Sequence, residues 1–462
     1  MTRTMIKDTV GLVGQTVTLK GWINTRRDMG KIVFVDLRDR SGIAQIVLVP
    51  AELTDRAREA MNGLRSEFCV SIEGVVQARN EKQINPNLVT GTVEVLAKDI
   101  EVLNTAKTPP FDLENTSGIN EEARLKYRYL DLRSPRMLRN LELRDRVISF
   151  FRDYLRARGF LDVETPYLTK GTPEGSREFL VPSRLHGGEF YVLPQSPQQF
   201  KQLLMVAGVE KYFQIVRCFR DEDQRGDRQP EFTQLDVEMS FVNQEDVLTL
   251  VEGMMIELIK TVAPGKRIAR TPFPRLSYAE CMEKYGSDKP DLRENKQDPN
   301  ELAFEWVVDF PMFEKDSEGG VQAVHHPFTS PKAEDVALLE TEPLKARANA
   351  YDLVLNGNEI FGGSIRIHRR DLQNRVFELL GLDPETIQQR FGHLLQAFEF
   401  GAPPHGGIAS GLDRVVMILA NEPNIREVIP FPKTGDARDL MMGAPSPIET
   451  KRLNEAHIQV KK

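Results

Sequence analysis

The sequence predicts an α+β protein with a small all-β domain first and a larger domain of mixed helices and strands after it. Its 462 residues are too many for one hydrophobic core and indicate two or three domains. Short strands separated by turn signals fill residues 16–104. Apolar residues recur at helical spacing from residue 141, and an antiparallel hairpin follows at 212–241. We therefore expect a first domain at 1–104, a connector at 105–135 and a second domain at 136–462.

The first domain is predicted to be a five-stranded barrel. Its strands are expected at 17–22, 31–39, 42–49, 68–77 and 92–103, with one helix at 51–64. Five strands with a helix after the third are typical of an OB fold.

Phe34 lies on the strand face that points away from the predicted core. The residues at 33, 35 and 37 are apolar and share the core face, while Phe34 lies among cations such as Arg27 and Arg79. An aromatic ring among cations suits stacking on an unpaired RNA base. Phe34 could equally close one end of the barrel, and the local pattern leaves both interpretations open.

Beyond the barrel, the pattern predicts a connector and then a long helix. Thr108-Pro109-Pro110 interrupts regular structure, and a charged segment rich in Tyr and Arg follows at 121–133. An apolar stripe of helical spacing then runs over residues 147–155 and ends at Gly159. A strand at 160–165 is closed by Pro166. By itself this pattern predicts an amphipathic helix packed on a sheet.

The hairpin at 212–241 carries the most specific sequence. One face of its second strand is apolar, whereas the other presents Phe232, Gln234, Asp236, Glu238 and Ser240. Arg220 ends the first strand, where its planar guanidinium could meet a phosphate. A charged hairpin alone usually indicates only a solvated turn.

The order Phe-Arg-Asp-Glu, a charged loop and Arg-Gln-Pro-Glu-Phe-Thr-Gln-Leu-Asp over residues 219–236 resembles motif 2 of the class II aminoacyl-tRNA synthetases, in the form found in bacterial-type aspartyl-tRNA synthetases. Residues 144–168 resemble motif 1. Residues 405–420, with Gly-Leu-Asp-Arg at 411–414, resemble motif 3. The resemblance covers nearly the whole chain and implies a catalytic domain built on an antiparallel sheet flanked by helices. It also implies a cytoplasmic homodimeric enzyme that joins L-aspartate to tRNA-Asp with ATP.

The resemblance assigns the nucleotide site to motifs 2 and 3. It implies Arg220 and Arg414 as catalytic residues that neutralise phosphate charge, and Phe232 as the ring that stacks on adenine. Asp352 and Glu359 are implied to hold Mg²⁺, and the Asn-Gly-Asn turn between them predicts a hairpin that brings them together. The implied ATP-binding residues are Arg220, Asp221, Glu222, Gln229, Phe232, Glu359, Gly411, Leu412, Asp413 and Arg414.

Two cations are implied to select the amino acid. Lys201 and Arg366 would together receive the side-chain carboxylate of aspartate. Asparagine would leave both cations without an anion, which predicts selectivity without an editing step. The implied aspartate-binding residues are Glu174, Ser196, Gln198, Lys201, Arg220, Asp236, His325 and Arg366.

The resemblance also decides for base stacking by Phe34. Arg225 and Arg228 are implied to contact the tRNA acceptor end, and the connector is implied to contact the tRNA stem. Met29 and Lys82 resemble the form that discriminates tRNA-Asp from tRNA-Asn, although an enzyme that charges both tRNAs is the alternative. The implied anticodon-reading residues are Arg27, Met29, Phe34, Gln45, Arg79, Lys82 and Glu94.

Two features depart from the family pattern. Bacterial members carry a large inserted domain where this chain has only a short polar link at 294–300, and Phe361 stands where a small residue is usual. Two other functions agree less well with the sequence. An inactive RNA-binding paralogue disagrees with the intact set Arg220, Asp352, Glu359 and Arg414. A tRNA-independent asparagine synthetase relative would lack the OB domain.

Composition limits the class of protein. Hydrophobic residues make up 40% of the chain and charged residues 28%, as in ordinary globular proteins. The three cysteines show no C-x-x-C spacing, which predicts neither a disulfide framework nor a zinc site. No apolar run reaches membrane-spanning length, and a net charge of −7 argues against a general nucleic-acid coat. We therefore expect no membrane or DNA partner.

Overall fold

The computed structural model describes residues 2–171, 175–316 and 319–461. The chain divides into two compact units, Met1–Ile119 and Asn120–Lys462. This division falls inside the segment predicted as a connector, so residues 105–119 belong with the first unit and residues 120–135 with the second. Within the described part of the chain, no helix is long and apolar enough to cross a bilayer.

The first unit is a closed barrel, as the strand pattern predicts. Strand β2 pairs with both β3 and β5 and thereby closes the sheet. It extends well beyond residue 22, because a bulge between Ile23 and Thr25 lets its two halves pair with different neighbours. The strands are β1 (Arg3–Thr4), β2 (Thr16–Asp28), β3 (Val33–Asp39), β4 (Gly42–Leu48), β5 (Cys69–Ala78) and β6 (Val93–Asn104), and the helix is α1 (Asp55–Gly63).

The second unit begins with helices and then builds its main sheet. Its helices are α2 (Glu121–Lys126), α3 (Arg128–Asp131), α4 (Pro135–Arg156), α5 (Gln198–Val206), α6 (Gln244–Val262), α7 (Tyr278–Tyr285), α8 (Leu338–Thr341), α9 (Arg370–Leu379), α10 (Pro384–Ala397), α11 (Leu412–Ala420) and α12 (Thr450–Glu455). Its strands are β7 (Leu161–Asp162), β8 (Leu180–Pro182), β9 (Phe190–Val192), β10 (Lys211–Phe219), β11 (Glu231–Ser240), β12 (Arg267–Ile268), β13 (Arg275–Ser277), β14 (Glu301–Leu302), β15 (Phe304–Val308), β16 (Phe313–Lys315), β17 (Val321–Ala323), β18 (Ala350–Leu355), β19 (Asn358–Ile365) and β20 (His405–Gly411).

The main sheet has the order β13-β15-β18-β19-β20-β11-β10-β7. Its inner pairings are antiparallel, as expected, while β13 and β7 pair in parallel at the two edges. Asp236 lies opposite Ala409, which lies opposite Gly362, which lies opposite Asp352. Directly opposed residues share a face. The register therefore places motif 2, motif 3 and the predicted metal carboxylates on one face of the sheet.

The other face of this sheet packs against α4, α6 and α11 and forms the main core. Helix α4 begins earlier than predicted, because the Ser134 side chain accepts a hydrogen bond from Met137 N and Pro135 occupies the first helical position. Both faces of β11 are buried over residues 233–240. The polar side chains of β11 therefore lie in a covered site.

Candidate active site

A buried ion-pair cluster lies on the polar face of β11. Lys201 Nζ is 2.6 Å from Asp236 Oδ1 and 3.3 Å from Glu238 Oε2. Arg366, just beyond β19, donates to Glu238 through Nε at 2.9 Å and Nη2 at 3.1 Å. Each of these four side chains is at most 2% exposed. Lys201 and Arg366 therefore meet at one carboxylate, and the structure brings together the two cations that the sequence predicts to be neighbours.

Electrostatics keep Glu238 ionised in this cluster. Burial acts to raise the pKa of Glu238, but Arg366 and Lys201 hold it at about 2. The pKa of Asp236 is raised by burial, against the effect of Lys201. Asp236 Oδ2 has no hydrogen-bond partner among the described residues. This buried oxygen can accept a hydrogen bond from a cationic group such as an α-ammonium.

Glu238 is the residue that sequence reasoning missed. The strand alternation places it on the same face as Asp236, but the motif resemblance gives it no role. Glu238 pairs with both cations, so they keep an anion when asparagine is bound. The expectation that asparagine leaves both cations unpaired is therefore wrong. Gly407 faces Glu238 across the β11–β20 pairing, and a Cβ there would lie 2.0 Å from Glu238 Oε2. Only glycine leaves room for this carboxylate.

The structure gives the two adjacent histidines different surroundings. His326 Nε2 lies 2.7 Å from Arg366 Nη1. The His325 ring instead packs edge-on against Phe310 at a centroid distance of 4.7 Å. Burial, assisted by Arg366, lowers the pKa of His325 to about 4, so its ring is neutral at physiological pH. His326, to which the sequence assigns no role, contacts Arg366 of the cluster directly. His325 packs against Phe310 instead.

The remaining residues implied for aspartate are placed as follows. Pro197 precedes α5, and Gln198 Nε2 donates to Gln202 Oε1 at 3.1 Å. Ser196 is half-buried at the entrance to α5. Glu174 lies outside the described residues.

A cavity of about 230 Å³ opens between motifs 2 and 3. Phe232 lines it, and the Arg220 guanidinium lies over the Phe232 ring at 5.1 Å. An arginine beside an aromatic ring can hold a phosphate near a stacked base. Most of the residues implied for ATP line the cavity: Arg220, Glu222, Gln229, Phe232, Glu359, Gly411, Asp413 and Arg414.

Two cations of this cavity, Arg414 and Arg228, pair with acidic groups of the motif 2 loop. Arg414 Nη2 lies 3.1 Å from Asp227 Oδ2, and its Nη1 donates to the carbonyl of Glu359. Arg228 lies 3.3 Å from Glu222. Arg225 at the tip of the loop is exposed.

Two residues implied for ATP do not line this cavity, and a third has a structural role in addition. Leu412 is fully buried in the main core, so its side chain does not face the cavity. Asp221 is exposed and its backbone pairs with Arg177. Asp413 lines the cavity, but its carboxylate accepts hydrogen bonds from Arg144 and, at 2.9 Å, from Thr233 N. Asp413 therefore ties motif 3 to motifs 1 and 2.

Asp352 and Glu359 come together across the β18–β19 hairpin. A Cβ on Gly362 would lie 3.1 Å from Asp352 Oδ1 and 3.3 Å from Glu359 Oε1, so this glycine leaves space between the carboxylates. Asp352 Oδ1 is buried and has no hydrogen-bond partner in the described part of the chain. Burial, and then the charge of Glu359, raise the pKa of Asp352. A cation would relieve this repulsion, and two carboxylates fit Mg²⁺, which keeps waters or phosphates as its other ligands.

The predicted anticodon-reading residues lie mainly on one face of the barrel. Arg27 donates to Asp36 at 3.0 and 3.1 Å and to Gln45 at 3.3 Å. Gln45 Nε2 donates to Glu94 at 2.9 Å, and Arg79 lies 3.7 Å from Glu94. Phe34 lies opposite Arg27 in the β2–β3 pairing. Met29, just after β2, and Lys82, in a short 3-10 helix between β5 and β6, are exposed.

Comparison with known proteins gives a consistent result. Residues 120–435 match the family described as tRNA synthetases class II (D, K and N), and residues 17–103 match the OB-fold nucleic acid binding domain. An aspartate–tRNA(Asp/Asn) ligase of Syntrophomonas wolfei is 45% identical over 98% of this chain and 98% of its own length. An aspartate–tRNA ligase of Geobacillus kaustophilus is 43% identical over 97% of each chain.

The alignment with the Syntrophomonas wolfei protein spans 576 positions, whereas this chain has 462 residues, so that relative contains residues that this chain lacks. Among solved structures, asparaginyl-tRNA synthetase from Pyrococcus horikoshii has a TM-score of 0.76 and 22% identity, over 94% of this chain and 98% of that one. This likeness supports the fold.

Proposed function

Because the chain belongs to the class II tRNA synthetases of the D, K and N group, we propose that it is an aspartate–tRNA ligase. The α-carboxylate of aspartate attacks the α-phosphorus of ATP. This step forms aspartyl-adenylate and releases pyrophosphate. The 3′-terminal ribose hydroxyl of the tRNA then takes the aspartyl group and releases AMP.

The observation that carries this proposal is the pair of cations around Glu238. An ammonium has three N–H donors and a guanidinium five. Among the described residues, Lys201 donates a hydrogen bond to Asp236 and forms an ion pair with Glu238. Arg366 donates to Glu238 and Ser364 and lies against His326. These contacts do not use every N–H of the two cations, and both cations lie within 3.3 Å of the same Glu238 oxygen. The remaining N–H groups can receive one further carboxylate, as the side chain of aspartate requires.

The same geometry supports preference for aspartate over asparagine. The side chain of asparagine has an N–H₂ group in place of one carboxylate oxygen. In this site that N–H₂ group would face an N–H donor of Lys201 or Arg366, and the donor would have no acceptor. A site built from donors rejects a ligand that lacks the matching acceptor by orders of magnitude. Selectivity then comes from the fixed donors rather than from two unpaired charges.

Adenylate formation needs positioning and charge neutralisation rather than a general base. Arg220 would contact the substrate carboxylate and the α-phosphate, and Phe232 would stack on adenine. Arg414 would exchange its contact with Asp227 for the terminal phosphate. Asp352 and Glu359 would hold Mg²⁺, which supplies Lewis-acid neutralisation of the triphosphate when bound.

For the tRNA, we propose that the barrel face around Phe34 reads the anticodon and that the enzyme discriminates tRNA-Asp from tRNA-Asn. The exposed side chains of Met29 and Lys82 support discrimination, because both are accessible to a bound tRNA. A ligase that charges both tRNAs is the second candidate, favoured by the printed names of several relatives, which include both tRNAs.

Labelled aspartate, ATP and each purified tRNA test the proposal together. We expect label on tRNA-Asp and little on tRNA-Asn. Equal charging of both tRNAs would favour the second candidate. Label in neither tRNA, or its appearance as free asparagine, would contradict aspartate–tRNA ligation itself.

We also propose that the enzyme is a homodimer formed through the motif 1 region. Exposed apolar side chains of this region, Leu161, Tyr167 and Leu168, support an interface there. The mass in solution, measured by light scattering, should be twice that of the 52.5 kDa chain. A monomeric mass at micromolar concentration would contradict the proposal.

A further inference from the structure

The charged connector segment at 121–133 has no role in the ATP or aspartate sites, and the sequence associates it with RNA. The structure places two of its arginines elsewhere. Arg124 and Arg128 are buried, with 6% and 2% of their surface exposed. A buried guanidinium is not available to an RNA phosphate, so these two side chains serve the interior of the second unit.

Both arginines hold the chain that follows helix α11. Arg124 donates to both carboxylate oxygens of Glu427, at 2.6 and 2.9 Å. Arg128 donates to the backbone carbonyls of Arg426 at 2.6 Å, Ile429 at 2.9 Å and Pro430 at 2.9 Å. Burial acts to raise the pKa of Glu427, but Arg124 and Arg136 hold it at about 2. The segment 424–430 is therefore fixed by charge-assisted bonds from the connector.

Residues 424–433 also contact the motif 2 loop, residues 225–229. Ile425 N donates to Gly226 O at 3.0 Å, and Arg426 Nη1 lies 3.4 Å from Arg225 O. Gln229 exchanges two hydrogen bonds with the backbone of Lys433, at 2.7 and 3.1 Å. Both ends of the loop 225–229 are thus tied to residues 424–433.

This loop forms one wall of the nucleotide cavity. Asp227, Arg228 and Gln229 line that cavity, as does Ile425 itself. The contacts form a continuous path from the connector, through residues 424–433, to the wall of the cavity. A rearrangement of 424–433 would move the loop residues that face the nucleotide.

We propose that Arg128 and Arg124 are positioning residues for ATP, which act by holding residues 424–433 and, through them, the motif 2 loop. Neither arginine touches the nucleotide or the aspartate cluster. Their loss therefore affects ATP binding more than aspartate binding. This inference rests on the proposed function, because the amino acid used in its test is aspartate.

The test is aspartate-dependent ATP–pyrophosphate exchange with the full-length protein. Arg128→Lys keeps the charge but replaces the planar five-donor guanidinium, which contacts three carbonyls and Asp131, with a three-donor ammonium. We expect it to raise KM for ATP by about tenfold and to change KM for aspartate by less than about twofold. Lys126→Ala, at the exposed end of the neighbouring helix α2, is the matched control and should behave as the parent protein.

Arg426→Gln removes the contact with Arg225 and the ion pair with Glu121 of the connector, from a partly exposed position. It should produce the same selective rise in KM for ATP. It decides the question if Arg128→Lys does not fold. Equal increases of both KM values, or no change in either, would overturn the inference. Absence of exchange in the parent protein would instead contradict the proposed function, so the two failures are distinguishable.

Discussion

Single residues in the second unit are held by competing charges, and Arg366 is the clearest case. It contacts Glu238, His326 and Ser364. Arg366 donates to both oxygens of Glu238, and Lys201 adds an ion pair at 3.3 Å. Arg366→Ala removes a ligand donor and also leaves a buried carboxylate with Lys201 alone.

We expect Arg366→Ala to lower kcat/KM for aspartate in pyrophosphate exchange by roughly two to three orders of magnitude, because breaking a buried charge pair costs about 3–5 kcal/mol. Arg369→Ala provides the control, since Arg369 is exposed and pairs only with nearby Asp371 among the described residues. Loss of activity in the control, or its retention in Arg366→Ala, would contradict the role of Arg366.

Glu305 on β15 gives a prediction about stability. It is fully buried, and neither carboxylate oxygen has a hydrogen-bond partner among the described residues. Burial, and then Asp291, raise the pKa of Glu305 from 4.5 to about 9. Between these pH values the folded state binds one more proton than the unfolded chain, so stability falls as pH rises.

Glu305→Gln keeps the shape of the side chain and cannot ionise. We expect its free energy of unfolding to equal that of the parent near pH 5 and to exceed it by on the order of 3 kcal/mol at pH 8. Chemical denaturation at the two pH values measures the difference. An advantage that does not grow with pH would show that Glu305 is not protonated in the folded protein.

At the scale of elements, the two faces of strand β3 have different roles, because its side chains alternate between the barrel core and the outer face. Its core face, Val33, Val35 and Leu37, is buried, while Phe34 is half-buried on the other face. Arg38 on that second face is buried in a pair with Glu67 and so belongs to the structure of the barrel.

Phe34→Ala should therefore weaken tRNA charging and leave pyrophosphate exchange unchanged. Base–aromatic stacking is worth about 1–3 kcal/mol, so we expect KM for tRNA to rise by about tenfold. Both activities are measured on the same preparation. An equal loss of the two would show that Phe34 supports folding and not the reading of the anticodon.

The elements and many site residues could be predicted from the sequence because each carries a local signal. The alternation of β11, Pro197 before α5 and the Asn-Gly turn of the β18–β19 hairpin are of this kind. The early start of α4 and the bulge of β2 depend on Ser134 and on pairing with two strands, respectively. The role of Glu238 required knowledge that Lys201 and Arg366, distant in sequence, share one carboxylate.

At the scale of the whole molecule, the residues proposed to read the anticodon and those proposed to activate aspartate lie in different units. The first unit carries the residues proposed to read the anticodon, and the second carries both the aspartate cluster and the nucleotide cavity. The three motifs are all present, although the longer relatives contain residues that this chain lacks. Activation of the amino acid should thus depend on the second unit alone.

The central claim is that the donors left on Lys201 and Arg366 select a carboxylate side chain. Pyrophosphate exchange with aspartate and with asparagine, each over a full concentration range, tests it most directly. The account predicts a kcat/KM for aspartate at least about 100-fold above that for asparagine. Comparable values for the two amino acids, or exchange supported by asparagine alone, would contradict it.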